Sequence, residues 1–147
     1  MSYLILVHIM QEYGMVNLLL ALSNVLFGLP ILFSIPDDRL ESKWLLILVL
    51  TASIAMHLSE RKHGLPGVPP FHWGAEEFLW CDRVMAVVAG LFVLVQVLKG
   101  FPIPWFLGVT GLISMGLSEN LEYGPVWFTA THGYWHYCAY QVLGAVL

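Results

Sequence analysis

Residues 15–34 read MVNLLLALSNVLFGLPILFS, twenty residues without a charged side chain. A helix of that length is about 30 Å long, which matches the hydrocarbon core of a bilayer. No alternation of polar and apolar residues runs through the stretch, so it does not read as a strand of a membrane barrel. A membrane-crossing helix is predicted, closed by Pro30 and then by the polar turn Pro36, Asp37, Asp38, Arg39.

The rest of the chain repeats the pattern. A second apolar run starts at Trp44, an aromatic of the kind found at membrane interfaces. It passes Ser53 and His57 to the charged group Glu60, Arg61, Lys62. A third covers Phe78 to Leu98, with Asp82 one turn inside its start. A fourth covers Ile103 to Leu117, and a fifth covers Phe128 to Leu147, with His132 and His136 near its beginning. The spans predicted from the sequence are therefore 15–34, 44–60, 78–98, 103–117 and 128–147. From His63 to Glu77, Gly64, Pro66, Gly67, Pro69 and Pro70 prevent a continuous helix and mark the longest loop, a segment able to cap the bundle or act as a lid. The expectation is an all-α, polytopic transmembrane helical bundle of about five spans, in one domain covering residues 1–147.

Composition agrees. Of 147 residues, 59% are hydrophobic and 11% are charged, against about 25% charged in a soluble domain. The mean hydropathy is +0.76. A multi-pass integral membrane protein is expected, in an endomembrane or as part of an organellar complex. The net charge of −4, without a basic run, leaves no electrostatic footprint for nucleic acid. Cys81 and Cys138 lack CxxC spacing and lie in or beside apolar runs, so buried thiols are expected rather than a disulfide. The N-terminal MSYLILVHIMQEYG has neither a basic start nor a small-residue cleavage pattern, so no secretory signal is expected. A short interfacial helix ending near Gly14 is compatible with it.

Five spans alternate in direction. His57 near the end of span two, Asp82 near the start of span three and His132 near the start of span five therefore fall on one side of the membrane. Which side faces the cytoplasm is not readable: Arg61, Lys62 and Arg83 on one side balance Arg39, Lys43 and Lys99 on the other.

Ionisable and polar groups in lipid are expensive, so their placement points to function. Residues four apart share a helix face, which lets His132 and His136 present two imidazoles to one ion. His57 from another helix supplies a third nitrogen. Three protein ligands leave one of the four positions of Zn2+ open to water, the arrangement of a catalytic site, where the pKa of that water falls toward about 7. Asp82 is then expected either to orient the site from beside the ligands or to act as general base, and Ser53, one turn before His57, can hydrogen-bond the water or a developing oxyanion. Gly133 follows His132, so the chain carries no HExxH protease motif. Blander roles exist for each group alone: interfacial histidines, an Asp82 paired with Arg83, a Ser53 bonded back to its own helix. His8, His63 and His72 are expected at the interface or in loops, with His72 able to reach the site from the lid. The six tryptophans, Trp44, Trp73, Trp80, Trp105, Trp127 and Trp135, are expected as interface anchors and packing.

The order SIAMH (53–57), WCDRV (80–84), HGYWH (132–136) resembles the CREST superfamily of membrane hydrolases. That superfamily includes the alkaline ceramidases, the progestin and adiponectin receptors, myomaker-like proteins and the Per-type remodellers of GPI anchors. Its members share a Ser-x-x-x-His, an Asp and a His-x-x-x-His in this order. The resemblance implies zinc on His57, His132 and His136, with Asp82 and Ser53 beside the water, in a bundle that hydrolyses amide or ester bonds of lipids. Cys81 before Asp82, and Trp135 before the last histidine, look more like the myomaker and Per-type branches.

The resemblance covers about a hundred residues from Trp44 onward, and its specific part is five positions. It departs in span number: members usually have seven, and here two fewer are predicted between the Asp82 helix and the last. An even difference keeps the site on one side. Glu12 stands alone where some ceramidases place a calcium-binding acidic cluster, so ceramide is not indicated. Two functional classes follow: a zinc-dependent intramembrane hydrolase of a lipid amide or ester bond, or a non-catalytic accessory subunit of a larger membrane complex that keeps the fold and metal. A receptor or fusion factor is a third, weaker class. The expected partners are membrane lipids and, for the subunit, other membrane chains.

Overall fold

The computed structural model describes residues 14–120, 122 and 124–147. His8, Glu12 and the interfacial helix expected before Gly14 lie outside the described residues. Five α-helices follow one another, and no strand occurs among the described residues: α1 Met15–Ser34, α2 Leu40–Ser59, α3 Ala75–Leu98, α4 Trp105–Ser118 and α5 Pro125–Gly144. Two short 3-10 turns, Lys62–Gly64 and Phe71–Gly74, lie in the long loop.

Helix α1 has the predicted bounds. It opens on Gly14, whose left-handed backbone (φ 62°) suits a residue without Cβ. It ends where Ile35 precedes Pro36. Helix α2 begins at Leu40, before Trp44, because Glu41, Ser42 and Lys43 continue the helix as its first, polar turn. Helix α5 begins at Pro125. Proline opens a helix readily at its first position, where no backbone donor is required, so a residue expected in the loop belongs to the helix.

Helices α1, α2 and α5 enclose the interior, α3 leans on α2, and α4 lies against α5. One apolar cluster, Ile35, Leu46, Leu50, Tyr140, Leu143 and Leu147, closes one end. Val16, Leu20, Leu65 and Phe128 close the other, with Leu65 contributed by the long loop. The loop therefore caps the bundle, as one of its two expected roles required. Close helix approach depends on small residues. A Cβ at Gly111 would lie 2.6 Å from Cys138 Cβ, so α4 meets α5 backbone to backbone there.

Three segments are long and apolar enough to cross a membrane: Met15–Ser34, Leu40–Ser59 and Phe71–Leu98. Helix α4 has 14 residues, or about 21 Å, which is shorter than a hydrocarbon core of about 30 Å. Helix α3 has no buried residue and exposes Trp80, Val84, Val87, Leu91, Leu94 and Leu98. In water such a face would be untenable, whereas in lipid it is an ordinary surface. Cys138 is buried and Cys81 is exposed, which corrects the expectation for Cys81: it stands on the outer face of α3.

Candidate metal centre

Between the two apolar ends lies a polar layer. His57 enters it from the last turn of α2, and His132 and His136 enter from successive turns of α5. All three are buried, with 0%, 7% and 4% of their surface exposed. Their ring centroids lie 4.9, 4.7 and 4.9 Å apart, so each imidazole touches the other two. One nitrogen from each falls within 4.8 Å of the others, and the two Nε2 atoms of His57 and His136 are 3.0 Å apart.

Two nitrogens on one tetrahedral zinc lie about 3.4 Å apart, given bonds of about 2.05 Å. The observed spacing brackets that value, and imidazole suits zinc, copper, iron and nickel. These residues fit a bound transition-metal ion, and the geometry alone does not select which one. Asp82 is not one of the three ligating groups. It lies half-buried on α3, on the side that faces Ser53. Ser53 is itself buried, one turn before His57. The five residues singled out in the sequence thus form two sets: three converging imidazoles, and a Ser53–Asp82 pair on the adjoining α2–α3 seam.

The surrounding polar contacts come from residues that sequence reasoning had passed over. Asn17, fully buried on α1, donates through Nδ2 to the carbonyls of His57 and Glu60, both at 2.8 Å. It thereby serves the carbonyls left open at the end of α2. Ser23 Oγ lies 2.7 Å from His136 Nδ1, and Ser118 Oγ lies 3.0 Å from His132 Nδ1. Tyr140, one turn after His136, donates to Asn24 Oδ1 at 2.7 Å, and Asn24 Nδ2 donates to the Leu20 carbonyl at 3.0 Å. A usable signal was present: Asn17, Ser23 and Asn24 are polar residues inside the uncharged run 15–34, where lipid makes polar groups costly.

The loop histidines stay out of the cluster. His63 stacks on Phe128 at 4.2 Å, and Phe128 in turn contacts His132 at 5.1 Å. His72 sits beside Trp73 and lines a surface groove of about 310 Å³ with Gly14, Leu18, Pro66 and Gly67. A second groove, about 460 Å³, lies at the opposite end against Phe33, Pro36, Asp37 and Lys43. Neither groove is lined by His57, His132 or His136.

No protein-family model, curated protein or solved structure matches this chain. The site's own geometry therefore carries the functional argument.

Proposed function

We propose that this chain is a zinc-dependent intramembrane hydrolase that cleaves an amide or ester bond of a lipid, built as a bundle of about five spans. The observation that carries the proposal is the convergence of three buried imidazoles, from α2 and α5, within 4.8 Å. The order of the three motifs along the chain, which resembles that of the CREST hydrolases, supports the choice of zinc and of a lipid substrate.

His57, His132 and His136 would hold the metal. Zinc, when bound, acts as a Lewis acid and brings a water toward ionisation near neutral pH. The chain's own residues divide the remaining work. Asp82 is the general base: it takes a proton from the attacking water and returns it to the departing amine or alkoxide. Ser53, across the α2–α3 seam, would orient the Asp82 carboxylate through its hydroxyl. The apolar faces of the helices suit acyl chains, and a substrate embedded in the bilayer enters from the side.

A second reading, the accessory subunit, is favoured by a specific observation. The imidazoles are closed off to 7% exposure or less. The two separate by experiment. The chain is purified in detergent, its metal content is measured, and it is reconstituted with fluorescent N-acyl and O-acyl lipids. The hydrolase predicts zinc together with fatty-acid release, and predicts that Asp82→Asn and Ser53→Ala keep the zinc and lose turnover. Stoichiometric zinc with no release from either lipid class supports the subunit, and a chain without zinc removes both.

A further inference from the structure

Each serine carries a single hydroxyl proton but can accept at two lone pairs. The destination of that proton at Ser23 and Ser118 decides the state of the imidazoles beside them. Ser23 Oγ lies 2.7 Å from the Leu20 carbonyl, three residues back on its helix, and Ser118 Oγ lies 2.7 Å from the Met115 carbonyl. A carbonyl can only accept, so each serine proton is committed to it. Ser34 and Ser59 make the same bond to the third residue back, at 2.7 and 2.8 Å, without being bonded to an imidazole. The proton in the contact to each histidine must then come from the ring. His136 Nδ1–H donates to Ser23, and His132 Nδ1–H donates to Ser118.

We propose that Ser23 and Ser118 are positioning residues for the metal centre. By accepting from Nδ1, they hold His136 and His132 in the tautomer whose bare Nε2 is free to bind the ion. The inference rests on the proposed metal site and deepens it. It assigns a function to α1 and α4, neither of which supplies a ligand. Asn24 is the weaker neighbour of His136: Tyr140 binds its oxygen, the Leu20 carbonyl takes one N–H of its amide, and the second N–H reaches Nδ1 only at 3.4 Å, against 2.7 Å for Ser23. With His136 Nε2 bare, the 3.0 Å contact to His57 is a hydrogen bond donated by His57 Nε2–H. His57 thus takes the opposite tautomer in the metal-free chain, and its buried Nδ1 has no partner in the structure.

Two measurements test this. The first is zinc affinity of the purified full chain by competition with a chromophoric chelator. Ser23→Ala and Ser118→Ala should each weaken zinc by about 10- to 100-fold, the range for losing a group that orients a ligating histidine. Ser23→Thr, which keeps an acceptor oxygen able to bond back to the helix, should stay within about threefold of wild type. Ser34→Ala, which removes the same serine bond away from any histidine, should not change it. Affinities of both alanine variants within threefold of wild type overturn the proposal.

The second needs no variant: 15N imidazole NMR of the metal-free wild-type chain. The expected result is Nδ1–H at His132 and His136 with Nε2–H at His57, and Nε2–H at His132 and His136 overturns it. The underlying reading fails separately. Undiminished zinc in His136→Ala contradicts the metal site, while the NMR tautomers still decide what the serines do.

Discussion

Asn17→Asp replaces one side chain by another of nearly the same shape, yet it should be among the most damaging single changes in the chain. The wild-type amide is fully buried and gives both of its N–H bonds to the end of α2, to the carbonyls of His57 and Glu60. Its oxygen has no partner, so what Asn17 contributes comes from its nitrogen. The His57 carbonyl has one other contact, a long 3.4 Å approach from the Glu60 N–H. Side-chain hydrogen bonds between membrane helices are worth about 0.6 kcal/mol on average and up to about 1.7 kcal/mol. Loss of two, as in Asn17→Ala, should therefore cost roughly 1 to 3 kcal/mol, or about 5- to 150-fold in the folding equilibrium. Asn17→Asp removes the same donors and turns carboxylate oxygens toward two carbonyl oxygens, so its loss should exceed that of the alanine variant. Unfolding by denaturing detergent, followed by circular dichroism, measures the difference in mixed micelles. An Asn17→Asp variant as stable as wild type would refute the reasoning, as would an alanine variant within 0.3 kcal/mol, half the average bond.

Gly111→Ala places a methyl group 2.6 Å from Cys138 Cβ, a rigid atom that cannot rotate away, so α4 must move off α5. A loss of about 1 to 3 kcal/mol is expected from overpacking, and Gly116→Ala, where nothing lies within 4 Å, serves as the neutral control in the same unfolding assay. In the turn between α1 and α2, the Lys43 ammonium donates to the Asp37 carboxylate and, by that bond and its charge, holds the carboxyl below its ordinary 3.8. A lowered carboxyl stabilises the fold above its unfolded pKa and loses that contribution as pH falls through the folded value. By 13C NMR the Asp37 titration midpoint should therefore lie below 3.8 and return toward it in Lys43→Met; an unchanged midpoint in the variant contradicts the pairing.

Periodicity and hydropathy made the helices legible because each apolar run is bounded by prolines, glycines or charges. The bounds of α1 coincide with its uncharged run. The discrepancies have local causes. Trp44 lies inside α2 rather than at its start, and Pro125 opens α5 instead of ending the loop before it. His132 and His136 were legible because four-residue spacing fixes a shared face, and His57 because helices alternating in direction would bring it to the same end of the bundle. Periodicity does not say which helices touch, so neither the approach of Ser23 and Asn24 on α1 to His136 nor that of Ser118 on α4 to His132 could be read from spacing. The number of spans is harder still. Helix α4 is about 21 Å long, and α5 carries its polar site residues within its own length, so neither joins the three segments long and apolar enough to cross.

Zinc counting on the purified chain tests the central claim most directly. Inductively coupled plasma mass spectrometry should find one zinc per wild-type chain and close to none in His57→Ala, His132→Ala and His136→Ala, each checked for retained helicity. A folded wild-type chain devoid of zinc, or a folded histidine variant that keeps a full equivalent, would contradict the convergence of these three imidazoles on a single ion.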